Sequence, residues 1–560
     1  MKDRFAIALA ATVGLLCGCD SSIEQSQSQI PEGVSQLWFT EEAKPRGISF
    51  THDSGATGNF WLPEITGGGV ALFDADNDGD LDAYFVQSGS LTPGETESKS
   101  NQLYENIGNG MFNRVSQRSN AAFDTGYGMG VTGGDYDNDG DMDLYVTNLG
   151  SNRLLNNQGG GQFIDRTERA GVDSDGWSTA AVFLDIDQDY DLDLFVVNYL
   201  HWSPATSRGC FSLDVQTYCL PSHNNAAADK LFLNNGDVTF KDISASAGMD
   251  SAFGNGLGVV TADFNQDGLI DLFVANDGMV NQLWLNNGNR TFTESATVWG
   301  CAMDDHGITK AGMGVATQDH DFDGDFDIVV VNIQSQTDSF FRNENSFFVD
   351  ATSSVGLSAW SLRHTRFGVL LADFNNDGIL DLYEANGKVY HGPEDKGEDV
   401  FAEPNSLYRG LENFAFELIP DAGLRSPLIH TSRGAAMGDV NNDGALDLVV
   451  ANKDAPPYLL INQSAKDQHW IRFRLLDKHG KDSIGSQILG LSGSRQYLGI
   501  VQTAGSYLAL NEPVIHMGLG KAAELTNVRV KWTTGHSELF GDLAANQLHV
   551  IREGSGTSVQ

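Results

Sequence analysis

The chain has 560 residues, enough for two or more domains around a large buried core. Its 75 acidic and 34 basic residues leave a net charge of −41, which repels a polyphosphate backbone and excludes nucleic acid as a partner. Gly at 63 and Pro at only 13 favour many tight turns over a disordered, proline-rich chain.

At the N-terminus, Lys2 and Arg4 precede an apolar run over 5–16, too short for a permanent membrane helix and read as a secretory signal. The sequence Leu16-Cys17-Gly18-Cys19 resembles a bacterial lipobox with Cys19 as the lipidated residue. Cys17 suits that role less well, because bulky Leu16 would fill the small position before it. An ordinary cleaved signal with two incidental cysteines is the alternative. Residues 1–19 are thus expected to be a lipoprotein-type signal peptide and 20–36, rich in Ser and Gln, a flexible tether. The expected product is an exported, monomeric lipoprotein, periplasmic or at the cell surface, held to a membrane by its lipid. Beyond the signal, Cys210, Cys219 and Cys301 remain. Export permits disulfides, and the nine-residue spacing of Cys210 and Cys219 in one insert favours a local bridge over free thiols, leaving Cys301 unpaired.

From residue 37 the chain repeats. Aspartate-rich segments begin at Asp74, Asp135, Asp185, Asp263, Asp319, Asp373 and Asp439, at intervals of 61, 50, 78, 56, 54 and 66 residues. Each is followed by an apolar run of about five residues, as expected of a strand buried on both faces. Small residues precede it, as at 67–73, 254–262 and 433–438, and let backbones crowd around a narrow channel. Two further short apolar runs around an Asn/Gly turn, as at 101–112, make a hairpin. The seventh unit lacks the last strand of this hairpin, and an orphan apolar segment lies at 37–42. Pairing the two closes a ring and removes both open edges. The expected fold is all-β: a seven-bladed β-propeller over 37–466, then a small C-terminal β-domain over 467–554. Strands of that domain are expected at 470–476, 496–501, 527–532 and 547–551. A linear solenoid is the structural alternative.

The loops carry the chemistry. Side-chain oxygens at positions 1, 3, 5 and 9, with the carbonyl of position 7, can wrap one hard cation, and Gly at position 6 makes the turn. The first loop offers Asp74, Asp76, Asp78 and Asp82 with the carbonyl of Asp80; the second, Asp135, Asp137, Asp139 and Asp143 with Asp141. The third offers Asp185, Asp187, Asp189 and Asp193 with Asp191; the fourth, Asp263, Asn265, Asp267 and Asp271 with Leu269. The fifth offers Asp319, Asp321, Asp323 and Asp327 with Asp325; the sixth, Asp373, Asn375, Asp377 and Asp381 with Ile379. The seventh offers Asp439, Asn441, Asp443 and Asp447 with Ala445. All-oxygen cages suit up to seven Ca²⁺ ions better than Mg²⁺, which keeps its waters. The flanking strands and the lack of Glu at position 12 exclude an EF-hand. Asn at position 3 keeps an oxygen and lowers the charge. Tyr190 stands where Gly is expected, so the third loop is expected to be distorted or to bind poorly.

These loops resemble integrin-alpha-type FG-GAP/VCBS repeats. From about residue 37 the whole chain is similar to the ASPIC/UnbV family, which includes the cartilage acidic proteins. Segments 50–82, 218–221, 432–444, 515–520 and 530–535, together with Gly485, carry the resemblance; Tyr190 and Ser486 depart from it. It implies an extracellular calcium-binding protein that binds a protein or glycan ligand as a surface or adhesion module.

No nucleophile elbow or H-E-x-x-H pattern is present, and no catalytic residue is assigned. Residues just before the inner strands should gather at one channel mouth: Glu64, Tyr127, Trp177, Asn255, Lys310, His364, Arg366, His430 and Arg433. They either bind a ligand there or cap strand ends. The alternative function is an extracytoplasmic enzyme acting on a glycan or secondary metabolite at this mouth.

Overall fold

The computed structural model describes residues 37–92, 99–122, 126–212, 215–392, 395 and 397–559. The signal, Cys19 and the tether at 20–36 lie outside the described residues. The protein is all-β. No helix among the described residues is long and apolar enough to cross a membrane.

Seven antiparallel sheets follow one plan. Each runs from an inner strand through an aspartate loop to a second strand, then through a third to an outer strand. In the second sheet these are Tyr127–Gly134, Asp143–Leu149, Arg153–Asn157 and Phe163–Asp165. In the seventh they are Ser432–Gly438, Asp447–Asn452, Tyr458–Asn462 and, as the outer strand, Phe39–Glu41 from the other end of the chain. Phe39 lies opposite Asn462 and Glu41 opposite Leu460, so the orphan segment fills the missing place. Each inner strand packs on the inner strand of the next sheet, and that of the seventh packs on that of the first. Alternate side chains of every inner and second strand face neighbouring sheets, which explains why both faces are apolar and buried.

A second bond series links the sheets. The last Asn of the third strand donates to the loop carbonyl of the preceding sheet: Asn157 to Ala75 (2.8 Å), Asn234 to Tyr136 (2.9 Å), Asn286 to Ile186 (2.9 Å) and Asn343 to Phe264 (3.0 Å). Asn462 reaches Phe374 (2.7 Å), and Asn106 reaches back to Val440 of the seventh loop (2.8 Å). Gly410 holds this place in the sixth sheet, where a Cβ would lie 2.2 Å from the Leu380 carbonyl. There His320 of the fifth loop bonds the Phe414 carbonyl instead (2.9 Å).

After Asn462 the chain builds a three-stranded sheet around His469–Leu476 and a five-stranded sheet containing Gln487–Ser492 and Glu524–Lys531. Between them, residues 503–511 enter the space enclosed by the inner strands. Ala509 and Leu510 run parallel to Val70 and Ala71. Ser506 exchanges backbone bonds with Val315 (2.7 and 3.0 Å), and its Oγ accepts from the Val369 N–H (3.1 Å). Tyr507 donates to the Thr66 carbonyl (2.9 Å) and meets Phe367 edge-on. The small residues of the inner strands make room for this segment: a Cβ on Gly69 would lie 2.8 Å from the Leu508 carbonyl, and one on Gly133 2.8 Å from Leu510 Cδ2. The channel is therefore plugged by the chain's own C-terminal part.

Candidate metal centres and the mouth cavity

Each loop is folded by its own carboxylates. Asp74 accepts the N–H groups of Asp78 (3.1 Å) and Gly79 (3.0 Å), and Asp78 accepts that of Asp80 (2.9 Å). Asp82, first in its strand, accepts from Ala75 (2.9 Å) and Asn106 (2.7 Å). The same set recurs in the other six loops, for instance Asp439 with Asp443 and Gly444. Position 6 sits at φ near +90°, as at Gly79 (92°) and Gly268 (93°). Gly is favoured there because a Cβ crowds the backbone.

What distinguishes the loops is position 3. Oδ1 of Asp76, Asp137, Asp187 and Asp321 is buried without a hydrogen-bond partner. Carboxylate oxygens of Asp74, Asp76 and Asp78 lie within 4.8 Å of one another, as do those of Asp135, Asp137 and Asp143 and those of Asp185, Asp187 and Asp193. Burial, with the neighbouring carboxylates, pushes Asp319 and Asp82 up to about 8, Asp325 up to about 7, and Asp135 and Asp185 up to about 6. Converging, unpartnered, mutually repelling oxygens are what a hard divalent cation neutralises, so these residues fit a metal.

The three Asn loops are arranged differently. Asn265, Asn375 and Asn441 each turn Nδ2 toward the position-5 carboxylate (3.0 Å in all three). Their Oδ1 atoms accept the position-5 N–H instead of facing the cage. Cationic side chains from the C-terminal sheets approach the same loops. Lys531 pairs with Asp263 (2.8 Å) and Arg472 with Asp439 (2.9 Å), while Arg495 donates to the Gly378 carbonyl (2.7 Å). Arg472 also pairs with partly buried Glu512.

The third loop is not distorted, contrary to the expectation from Tyr190. Tyr190 takes φ 77°, and its N–H reaches Asp185 (3.0 Å) as Gly does elsewhere. Its side chain docks the C-terminal part: the hydroxyl donates to Glu553 (3.0 Å), Lys478 lies 3.7 Å above the ring and His479 meets it edge-on. These contacts offset the backbone strain.

Position 4, which offers no ligand in the loop motif, also adopts positive φ in all seven loops. Six of these residues clasp the next loop. Asn77 donates to Asp141, Asn138 to Asp191 and Asn442 back to Asp80 (2.6 Å each). Gln188, Gln266 and Asn376 donate to the carbonyls of Gly268, Gly324 and Gly444. Asn or Gln at six of seven such positions was the available signal; Phe322 breaks the series and packs on Tyr497.

On the opposite face lies a cavity of about 1100 Å³. Its floor includes Leu257, Met313 and Phe367, and one wall is the insert around residues 218–226, pinned by the Cys210–Cys219 disulfide. Cys301 is free and buried. Of the residues expected at this mouth, Asn255 lines the cavity. Arg366 is buried against Asp338 (2.7 Å), and Arg433 is buried on the Phe367 ring while donating to the carbonyls of Ile65 and Gly387. Lys310 is held by Thr337 and Ser339, His364 by Glu403, and His430 by Tyr458. Tyr127 donates to the Ser54 carbonyl, and Trp177 packs edge-on against Tyr199. Glu64 is buried beside Tyr218, and burial pushes it up to about 7.

Residues 477–558 match the family model described as ASPIC and UnbV. Residues 74–146, 135–196, 263–330 and 319–384 match the FG-GAP-like repeat. Cartilage acidic protein 1 of Xenopus tropicalis is 25% identical over 502 residues, covering 83% of this chain and 70% of its own length. The Homo sapiens protein of the same name is 25% identical over 559 residues, covering 95% and 79%. Among solved structures, an Agrocybe aegerita lectin that recognises non-reducing terminal N-acetylglucosamine aligns at 14% identity and TM-score 0.37, covering 70% of this chain and 86% of its own. The chain carries FG-GAP-like repeats followed by an ASPIC/UnbV module, as its motifs led one to expect.

Proposed function

We propose that this protein is an exported, calcium-binding seven-bladed β-propeller with a C-terminal β-domain, acting outside the cytoplasm as a binding and adhesion module anchored through Cys19. The cyclic packing of seven like sheets and the N-terminal strand in the seventh support the propeller reading. The observation that carries the calcium reading is the buried, unpartnered Oδ1 at position 3 of four loops. Those four are the strong sites; the Asn loops, whose position-3 amide turns Nδ2 toward the position-5 carboxylate, are weak ones. Family kinship with an acidic protein named for cartilage supports a role outside the cell. The plugged channel leaves the mouth cavity, rather than a through-pore, as the ligand face.

Elemental analysis and calcium titration of the purified chain test this. About four tightly held calcium ions are expected, with further ions bound more weakly. A metal-free protein that calcium does not stabilise would overturn the assignment. Cys19→Ser is expected to move the protein from the membrane fraction to the soluble exported fraction; unchanged fractionation would remove the anchor.

A further inference from the structure

Asp277 follows the second strand of the fourth sheet and lines the mouth cavity. Its N–H is tied to the Asn255 carbonyl (2.8 Å), which fixes where the side chain leaves the backbone. Oδ2 accepts the Tyr199 hydroxyl proton (2.6 Å), while Oδ1 has no hydrogen-bond partner among the described residues. No Lys, Arg or His among the described residues pairs with it. Lys310, whose carbonyl holds the next N–H, carries its ammonium to Thr337, Ser339 and the Asp338 carbonyl. Lys388, also on the cavity wall, is paired with Asp395 (2.5 Å). The cavity lining combines apolar and aromatic groups, among them Leu257, Met313, Phe367, Tyr199 and the exposed Tyr390, with polar ones such as Asn255, Gln334 and Gln336.

We propose that this cavity binds an organic cation, a ligand with an ammonium group on an apolar body, the charge resting on Asp277 and the body against Tyr199 and Tyr390. A carboxylate held in a cavity without a counter-ion is costly, and a ligand ammonium supplies the missing charge together with N–H donors. Tyrosine ring faces attract the same charge, and more strongly once water is displaced. Burial pushes Asp277 up only to about 6, so it is ionised at neutral pH. The net charge of −41 concentrates cations around the whole molecule. The proposal rests on reading the mouth as the ligand face and is independent of the metal loops.

The test is calorimetric titration of the calcium-saturated whole chain with 2-phenylethylamine and its neutral counterpart 2-phenylethanol. The amine is expected to bind at least tenfold more tightly than the alcohol. Asp277→Asn, which keeps shape and removes charge, should abolish that preference, and Tyr199→Phe, which keeps the carboxylate, should preserve it. Equal binding of amine and alcohol, or undiminished amine binding by Asp277→Asn, would overturn the proposal. So would binding of neutral saccharides in preference to the amine. Melting curves recorded with and without EGTA on the same samples report the metal loops separately.

Discussion

The four Asp loops and the three Asn loops share one backbone and differ in how their negative charge is met. In the Asp loops the position-3 carboxylate points an unpartnered oxygen into the cage. In the Asn loops the amide turns a donor to that place, and Lys531, Arg472 or Arg495 approaches from the C-terminal sheets. One change of residue thus separates loops that aim a bare carboxylate oxygen into the cage from loops that turn an amide donor there, while side-chain cations reach both kinds: Arg290 pairs with Asp187 (2.5 Å), and Lys481 donates to the Tyr190 carbonyl of the third loop. Cations of the C-terminal part couple loops of both kinds to it: Lys531, Arg472 and Arg495 at the Asn loops, and Lys481 at the second and third loops.

The largest test of that difference is chelation. EGTA is expected to lower the melting temperature by more than about 10 °C, since each site at hundredfold excess of calcium over its Kd contributes roughly 2.7 kcal/mol. Magnesium should restore less than calcium. The pH dependence should differ with and without the metal. Without it, Asp82 and Asp319 have folded values raised to about 8 and Asp135 and Asp185 to about 6. Groups so raised favour the fold while protonated and lose that contribution as pH rises through the folded value; Asp135 and Asp185 have lost most of it by about 6.5, and Asp82 and Asp319 should go on costing the chelated protein stability from about 6.5 to 8. That window lies above the range where buried His52 and His320, held near 4, must charge and oppose the trend. With calcium bound, the loops should show no such loss; identical pH slopes in both states would break the comparison.

Next in size is Arg472→Met. It strands Asp439 and Glu512 in the interior, and the expected loss is about 3 kcal/mol by chemical denaturation. Calcium should recover part of it by neutralising the seventh loop. A neutral effect would mean that the internal cation is dispensable.

Position 3 itself separates the two kinds of loop more finely. Asp137→Ala should remove one tight calcium and about 2–3 kcal/mol of calcium-dependent stability. Asn441→Ala should leave the number of tight ions unchanged. Equal losses would make the seven loops equivalent.

The smallest effect is expected from Tyr190→Gly. Relief of a positive φ is offset by loss of contacts to Glu553, Lys478 and His479, for a net change within about 1 kcal/mol in stability. Calcium stoichiometry should not change, because the loop backbone is already in the glycine conformation.

The aspartate loops, the strands beside them and the completion of the seventh sheet by residues near 39 were legible in the sequence. All three rest on local patterns: ligand spacing within nine residues, buried apolar runs, and one unit too short by a strand that reappears elsewhere. The turn of the Asn amides was not legible, because composition shows that an oxygen is present and not which way the amide faces. Nor was the role of Tyr190, whose partners lie some 290 to 360 residues away.

By itself, the sequence determined an all-β chain of seven aspartate-looped units followed by a different β-module, because repeat period and strand pattern are local properties. Only the tertiary structure decided that residues 503–511 fill the channel, that Arg366 and Arg433 are buried and held by protein groups, and that Asp277 faces the mouth cavity. Each of those outcomes depends on space and charge supplied by segments distant in the chain. Glycines at 69, 130 and 133 read equally well as crowded strands or as room for a plug, and only the segment that arrives there distinguishes the two.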